Sequence, residues 1–360
     1  MTSSDVEHTA LLLSEPASEY SLFLSSLSDQ DKQFLGLVSS NADFVYKYQN
    51  PLSHDLALES IDLEKIYEGV ERREQEQEER GDQSDKEKLD FQDLVVVELL
   101  HFFRHSFFKW VNKPECPHCK SDENIQGVGV TRGPPASQDP DEVGRIEIYK
   151  CTKCGQQVTF PRINNPVSLL RTKEGRCGEW VNCFMLLLQA TLGADVQIRY
   201  IVNYEDHVWC EYYSTNLKRW VHLDPCEDAF DNPTLYCENW GKSMSWVFGF
   251  GLGYVVDLSD KYITKPDKQL DKWAVVSHPS VVRKYLEYTN NQLLKKYYTE
   301  RLNGIRDEAS RLLALSEEVV SLKENELNGS PTRTANKNDV PKGRQSGSAE
   351  WTKTRGEAGE

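Results

Sequence analysis

The 360-residue chain is 38% hydrophobic and carries 57 acidic against 42 basic side chains, a formal net charge of −15. That negative field excludes nucleic acid and anionic lipid as obligatory partners, and the modest apolar fraction implies solvated segments beside two or three compact units. Residues 1–20 hold only a short leucine run (Leu11 to Leu13), and the apolar stretch Met244 to Val256 is broken by Gly249, Gly251 and Gly253. Neither a secretory leader nor a membrane span is expected, so the chain reads as cytosolic with reduced thiols.

In chain order, residues 1–45 scatter Leu22, Phe23, Leu24, Leu27, Phe34, Leu35 and Leu37 among Ser and Asp. The pattern is too sparse for a core and is compatible with either one or two short amphipathic helices that dock on another body or a loosely attached extension. Residues 46–112 read as a helical segment containing a charged linker. The run Glu71 to Asp90 is a solvated helix face or a joint, and apolar density from Phe91 to Val111 predicts a buried helix. His101 and His105 share one helical face at the spacing of a metal pair. No Glu follows His101, so packing or partly exposed histidines is the expectation.

Residues 113–160 contain Cys116-Pro117-His118-Cys119 and Cys151-Thr152-Lys153-Cys154. Each pair places two thiolates on one tight turn, and together they close a tetrahedron around one structural Zn2+ ion. The Gly- and Pro-rich insert Gly127 to Asp141 reads as a loop. A redox role would need one pair opening a helix, and a zinc deaminase would need His-x-Glu and an open ligand position.

Residues 161–265 hold the chemistry. Apolar residues from Trp180 to Leu192 predict a buried helix stopped by Gly193, with Cys177 at its N-terminus, where unpaired N–H groups and the helix dipole favour a thiolate. Glycine and charge around Cys177 (Gly175, Arg176, Gly178, Glu179) suggest an accessible turn, whereas Cys183, Cys210, Cys226 and Cys237 read as packing residues. Three strands follow. If Ser214 to Leu217 form the second hairpin loop, Tyr213 pairs with Lys218 and His207 directly opposes Asp224, close enough for a carboxylate to orient an imidazole. His222 lies on the face of Asp224 but away from that partner. Residues 266–327 read as a C-terminal helical segment, and 328–360 as a disordered tail too polar to offset the entropy of ordering.

The motifs Gly175-Arg176-Cys177-Gly178-Glu179-Trp180, Asp206-His207-Val208-Trp209-Cys210-Glu211 and Arg219-Trp220-Val221-His222-Leu223-Asp224, preceded by two cysteine knuckles, resemble those of the peptide:N-glycanases. The resemblance spans roughly residues 90 to 300. It implies an α+β, papain-like transglutaminase core with an inserted zinc-ribbon-like module and flanking helices. It also implies an amidase that releases N-glycans from misfolded glycoproteins, leaving aspartate. By the same resemblance, Cys177 attacks, His207 moves the proton and Asp224 orients it, while Glu227 and Trp240 hold the sugar. Pro225, which removes a ladder donor, puts strand pairing beyond Asp224 in question. The implied partner is a ubiquitin-receptor shuttle of the proteasome and excision-repair pathway, and the implied locations are cytosol and nucleus. Two rival readings are a transglutaminase or cysteine protease with the same triad, and a silent scaffold for the shuttle.

Overall fold

The computed structural model describes residues 6–7, 10, 17–80, 88–301, 304–327 and 342–359. The run Leu11 to Leu13 and the first part of the expected tail, 328–341, lie outside them.

Helix α1 (Ala17–Ser26) leads into α2 (Asp29–Asn41), which starts at a reciprocal cap. The Ser28 hydroxyl accepts from the Asp31 N–H and the Asp31 carboxylate accepts from the Ser28 N–H, satisfying two of the donors a helix start leaves open. The second helix of the expected docking arm is instead part of the molecule's own core. Phe34, Leu35 and Val38 are buried, and the Phe34 ring sits 5.3 Å from Tyr204 and 5.6 Å from Trp246. One apolar helix face suffices when the rest of the core already exists.

Helices α3 (Pro51–Glu59) and α4 (Leu63–Arg80) follow. The first part of the charged run is the outer face of α4, whose inner face buries Ile66 and Val70; residues 81–87 of that run lie outside the described residues. Helix α5 (Phe91–Phe102) starts at the Asp90 cap and runs into one wide π turn, Phe103–Phe107, before strand β1 (Lys109–Trp110). The helical stretch therefore stops short of the expected Val111.

Strands β2 (Ile125–Arg132), β3 (Arg145–Cys151) and β4 (Gln157–Arg162) form an antiparallel ribbon. The expected loop from Gly127 is a strand as far as Arg132. Its glycines flank a register shift between Gly127 and Gly129, where an extra residue bends the strand without ending it.

Next come α6 (Pro166–Thr172), β5 (Glu174–Gly175), which pairs parallel to β1, and α7 (Cys177–Leu192). A six-stranded antiparallel sheet carries β6 (Ile198–Asn203), β7 (His207–Ser214), β8 (Arg219–Asp224), β9 (Ala229–Phe230), β10 (Val247–Gly251) and β11 (Tyr254–Asp257). Its order is β11-β10-β6-β7-β8-β9. Helix α7 is buried for most of its length in the same core cluster as the sheet residues Tyr200, Cys210, Tyr212 and Leu223. A ribbon followed by a helix-on-sheet core gives the expected α+β architecture.

The β7–β8 register differs from the expected one by two. Ser214 pairs with Arg219 and Cys210 with Leu223, so the loop is residues 215–218. The Ser214 hydroxyl accepts from the Leu217 N–H, and Lys218 closes the turn in a left-handed conformation (φ +52°). His207 and Asp224 share a face as diagonal rather than opposed neighbours. The β7–β8 ladder ends at Leu223, and the chain folds back after Asp224, which pairs with Ala229.

Helices α8 (Ser259–Tyr262), α9 (Pro279–Arg301), α10 (Glu308–Leu327) and α11 (Ala349–Thr354) complete the fold. The described part of the expected disordered tail, 342–359, is an ordered strap across the end of the sheet that carries His207 and Asp224. Arg344, Ser346, Thr352 and Glu357 are buried. The strap borrows a surface already formed and needs no apolar core of its own, which is why composition alone misjudged it.

Candidate active site and cysteine cluster

Cys177 is the first residue of α7, and its setting is fixed from both sides. The Glu179 carboxylate accepts from the Arg176 N–H and takes a two-pronged contact from Arg162. Glu179 also lies so close to Gly175 that a Cβ there would fall 2.4 Å from the Glu179 Cβ. Glycine at 175 is thus a steric requirement of the helix start, not only a loose turn. Instead of the accessible turn expected, Cys177 is 9% exposed.

On the facing strand ends, His207 Nε2–H donates to Asp224 Oδ2 at 3.0 Å, with both side chains fully buried. Asp224 is further held by the Cys226 N–H on Oδ1 (2.9 Å) and the Tyr236 hydroxyl on Oδ2 (3.1 Å). Committing Nε2 to the carboxylate leaves Nδ1, which is buried without a conventional partner among the described residues, as the proton carrier beside the thiol. Burial opposes ionisation of Cys177, but the His207 hydrogen bond and the positive charges of Arg344 and His207 outweigh it and hold the thiol below its usual value. Burial and Arg344 push His207 down. Asp224 and the Cys177 sulfur pull it up further, leaving it raised. Both directions favour a thiolate–imidazolium pair. Cys183, Cys210, Cys226 and Cys237 are all pushed up, chiefly by burial.

Three contributors escaped the sequence. Tyr236 joins Asp224 to His222, whose Nε2 lies 2.8 Å from the hydroxyl; burial takes His222 down to about 4 and keeps it neutral. His222 therefore supports the triad aspartate through one intervening hydroxyl. Only a π turn over Leu235–Asn239 brings Tyr236 there, and no spacing rule announces it. The second is Arg344 on the strap, and the third is Glu357, whose carboxylate receives Arg344 Nη1 at 2.8 Å and Lys242 Nζ at 2.7 Å.

Trp240 forms a wall of the histidine, ring centroids 5.1 Å apart, and is 1% exposed. Glu227 accepts from the Ser346 hydroxyl and N–H and from the Gln345 N–H. Both stand beside the triad, beneath the strap.

The four knuckle sulfurs converge. Cys116 and Cys154 Sγ are 3.5 Å apart, Cys151 and Cys119 Sγ 3.8 Å, and all four lie within 4.8 Å of one another. Sulfurs at tetrahedral corners about 2.3 Å from one ion would lie about 3.8 Å apart, so the cluster has the dimensions of a four-thiolate metal site. Arg176 ties this ribbon to the catalytic helix, donating to Glu147 and to the Tyr149 hydroxyl on β3.

A thiol at a helix start, facing a histidine–aspartate pair on an antiparallel sheet, defines the transglutaminase-like thiol enzymes. The transglutaminase-like superfamily model matches residues 128–225, and the Rad4 transglutaminase-like domain model matches residues 199–308. Curated relatives carry the name peptide-N(4)-(N-acetyl-β-glucosaminyl)asparagine amidase. The Debaryomyces hansenii protein is 50% identical over 93% of this chain and 89% of its own length. The Candida albicans protein is 47% identical over 90% and 85%, and the Saccharomyces cerevisiae protein 37% identical over 90% and 85%. The chain belongs to the peptide-N(4)-(N-acetyl-β-glucosaminyl)asparagine amidase family: it is a hydrolase that removes N-glycans from asparagine.

Proposed function

We propose that Cys177, His207 and Asp224 carry this amidase reaction through a thioester. The Cys177 thiolate adds to the side-chain carbonyl of the glycosylated asparagine. As the tetrahedral adduct collapses, the carbon–nitrogen bond breaks and His207 Nδ1 gives its proton to the departing glycosylamine nitrogen. Water, deprotonated by the same Nδ1, then attacks the thioester, returning the thiolate and leaving aspartate. The observation that carries this reading is the fully buried His207, held by Asp224 at 3.0 Å with its second nitrogen on the thiol side.

Glu227 and Trp240 are the residues we assign to the innermost sugar, a carboxylate for hydroxyls and an indole for the ring face. The recessed thiol, 9% exposed, favours asparagines on unfolded chains, whose backbone can bend to reach it. Zn2+ at Cys116, Cys119, Cys151 and Cys154 would be structural, because four sulfurs leave no open position. As partner and location we propose a ubiquitin-receptor shuttle and the cytosol and nucleus. Leu22 of α1, 74% exposed, supports a docking role for that helix; Leu22→Asp should weaken shuttle binding in a pull-down, and unchanged capture would refute it. Among the described residues, no helix is long and apolar enough to cross a membrane.

The deciding experiment treats a denatured high-mannose glycoprotein with wild type and Cys177→Ala. Wild type alone should release the glycan and create a new aspartate; release by the variant would refute the thiol role. Chelation or Cys119→Ser should unfold the ribbon, since metal binding and folding are coupled. A ribbon still folded in zinc-free protein, by circular dichroism and proteolysis, would remove the metal from the scheme.

A further inference from the structure

Two of the three guanidinium nitrogens of Arg344 are spoken for: Nε donates to the Ser346 hydroxyl and Nη1 to Glu357, both at 2.8 Å. The third, Nη2, is buried with no partner among the described residues, on a side chain with no solvent exposure. The group is stacked 4.9 Å from the Trp110 ring, 4.3 Å from Trp351 and 5.4 Å from Trp240, the indole that walls His207. The Trp240 Nε1 is likewise buried with no partner among the described residues. Orphaned polar atoms are rare in native interiors, and these two lie on the Arg344–Trp240 stack that walls His207.

We propose that Arg344 is a substrate-contacting residue, its Nη2 donating to an amide carbonyl oxygen of the glycosylated substrate. This rests on the thioester reading above. Two oxygens of that chemistry are available: the scissile carbonyl, which becomes an oxyanion as the thiolate adds, and the 2-acetamido group of the attached sugar. The strap thereby completes the active site.

The test compares wild type, Arg344→Lys and Arg344→Ala on a glycopeptide, following kcat and KM and, separately, the pH profile of Cys177 alkylation. Lysine keeps the charge but, as a compact ammonium, cannot spread its donors over the fork that reaches Ser346, Glu357 and the substrate together. Its alkylation profile should match wild type while kcat/KM falls at least tenfold. Removing an oxyanion donor costs about 10²–10³ in kcat, so in Arg344→Ala a fall in kcat at constant KM places Nη2 on the scissile carbonyl. A rise in KM that disappears with a glucosyl substrate lacking the acetamido group places it on the sugar. Full activity of Arg344→Lys, or an Arg344→Ala loss wholly matched by its alkylation shift, would overturn the proposal. Failure of the thioester reading is recognised separately, by glycan release from Cys177→Ala.

An independent observation lies on the outer surface. His101 Nδ1 and His105 Nε2 approach the same oxygen, Asp228 Oδ2, at 2.9 and 3.1 Å, and all three donor atoms lie within 4.8 Å of one another. The π turn after α5 keeps the two imidazoles together, ring centroids 4.4 Å apart. Asp228 reaches them from a left-handed backbone (φ +54°). The histidines are about half exposed (50% and 52%), leaving room for water ligands. We infer a second metal site here, distinct from the cysteine cluster, for a divalent ion of the zinc, cobalt and nickel class that accepts two imidazoles and one carboxylate.

Co2+ titrated into the zinc-loaded, full-length protein should bind at one equivalent without the thiolate charge-transfer absorption that cobalt shows among cysteines. His105→Ala and Asp228→Asn should each weaken that binding at least tenfold at unchanged far-ultraviolet circular dichroism. Equal binding by the variants, or none by wild type at millimolar Co2+, would reduce the trio to a hydrogen-bonded ion pair and overturn the site.

Discussion

Asp224 and Asp228 lie on one turn, four residues apart, and each accepts a hydrogen bond from histidine, yet the two groupings occupy opposite environments. His207–Asp224 is fully buried, and its carboxylate is saturated by Cys226 and Tyr236. His101 and His105 share Asp228 in the open. In the first pair, burial and fixed dipoles settle which nitrogen holds a proton; in the second, water competes for every contact and screens the charges. The difference between a catalytic dyad and a surface ligand set lies in what surrounds them, not in residue type.

The sharpest way to break the comparison is Asp224→Asn, which preserves shape but removes the charge and permits the wrong tautomer of His207. By analogy with triads in which that change has been made, kcat should fall about 10³–10⁴-fold, read as glycan release under saturating glycopeptide. A loss under tenfold would mean that Asp224 does not orient the base.

Next in size is acid release of the strap. Burial pushes the Glu357 carboxyl up, but Arg344, His207, Lys242 and Arg355 bring it down to about 2 from an ordinary 4.5. A depressed carboxyl contributes stability that is present above its unfolded value and is lost as pH falls through the folded one. At about 1.4 kcal/mol per unit this amounts to about 3 kcal/mol. Acidification from about pH 4.5 toward 2 should therefore free Trp351, seen in its fluorescence. Glu357→Gln should move the transition to higher pH; an unchanged midpoint would show that Glu357 does not anchor the strap.

Tyr236→Phe removes one of the bonds on Asp224 and leaves the His222 Nε2 without its partner, at a cost of about 1–2 kcal/mol. That corresponds to about a tenfold lower kcat with the alkaline limb of the pH profile displaced, a shift that lost packing alone would not produce. Smallest is Asp228→Asn in metal-free protein, where an exposed pair contributes at most about 1 kcal/mol. Urea unfolding should place it within that margin of wild type, and a larger loss would mean that the surface grouping is as structural as the buried one.

How much of this was legible follows from range. The knuckles are local, so spacing alone brought Cys116, Cys119, Cys151 and Cys154 to one cluster. Cys177 could be placed because apolar periodicity fixes a helix start, and His207 and Asp224 could be put on one face because alternation has a period of two. Their direct opposition failed on a single turn residue: Lys218 adopts a left-handed conformation that lysine rarely signals, so the hairpin closes one residue later and the register moves by two. Tyr236 and Arg344 were invisible because their roles depend on surfaces built by distant residues. Phe34, Leu35 and Val38 were misassigned for the same reason, since a sparse apolar face cannot reveal that the core it completes is its own.

The strap also lies later in the chain than everything it covers. Residues 342–359 leave the ribosome after the sheet, the catalytic helix and the cysteine ribbon they cover. Gly343 and Gly359 then hydrogen-bond the backbone at Asn239 and Trp240. Until that last segment settles, Glu227 lacks the donors it has in the folded protein and Arg344 is absent from the thiol. On the proposal above, truncation there would remove a substrate contact without touching any of the three triad residues.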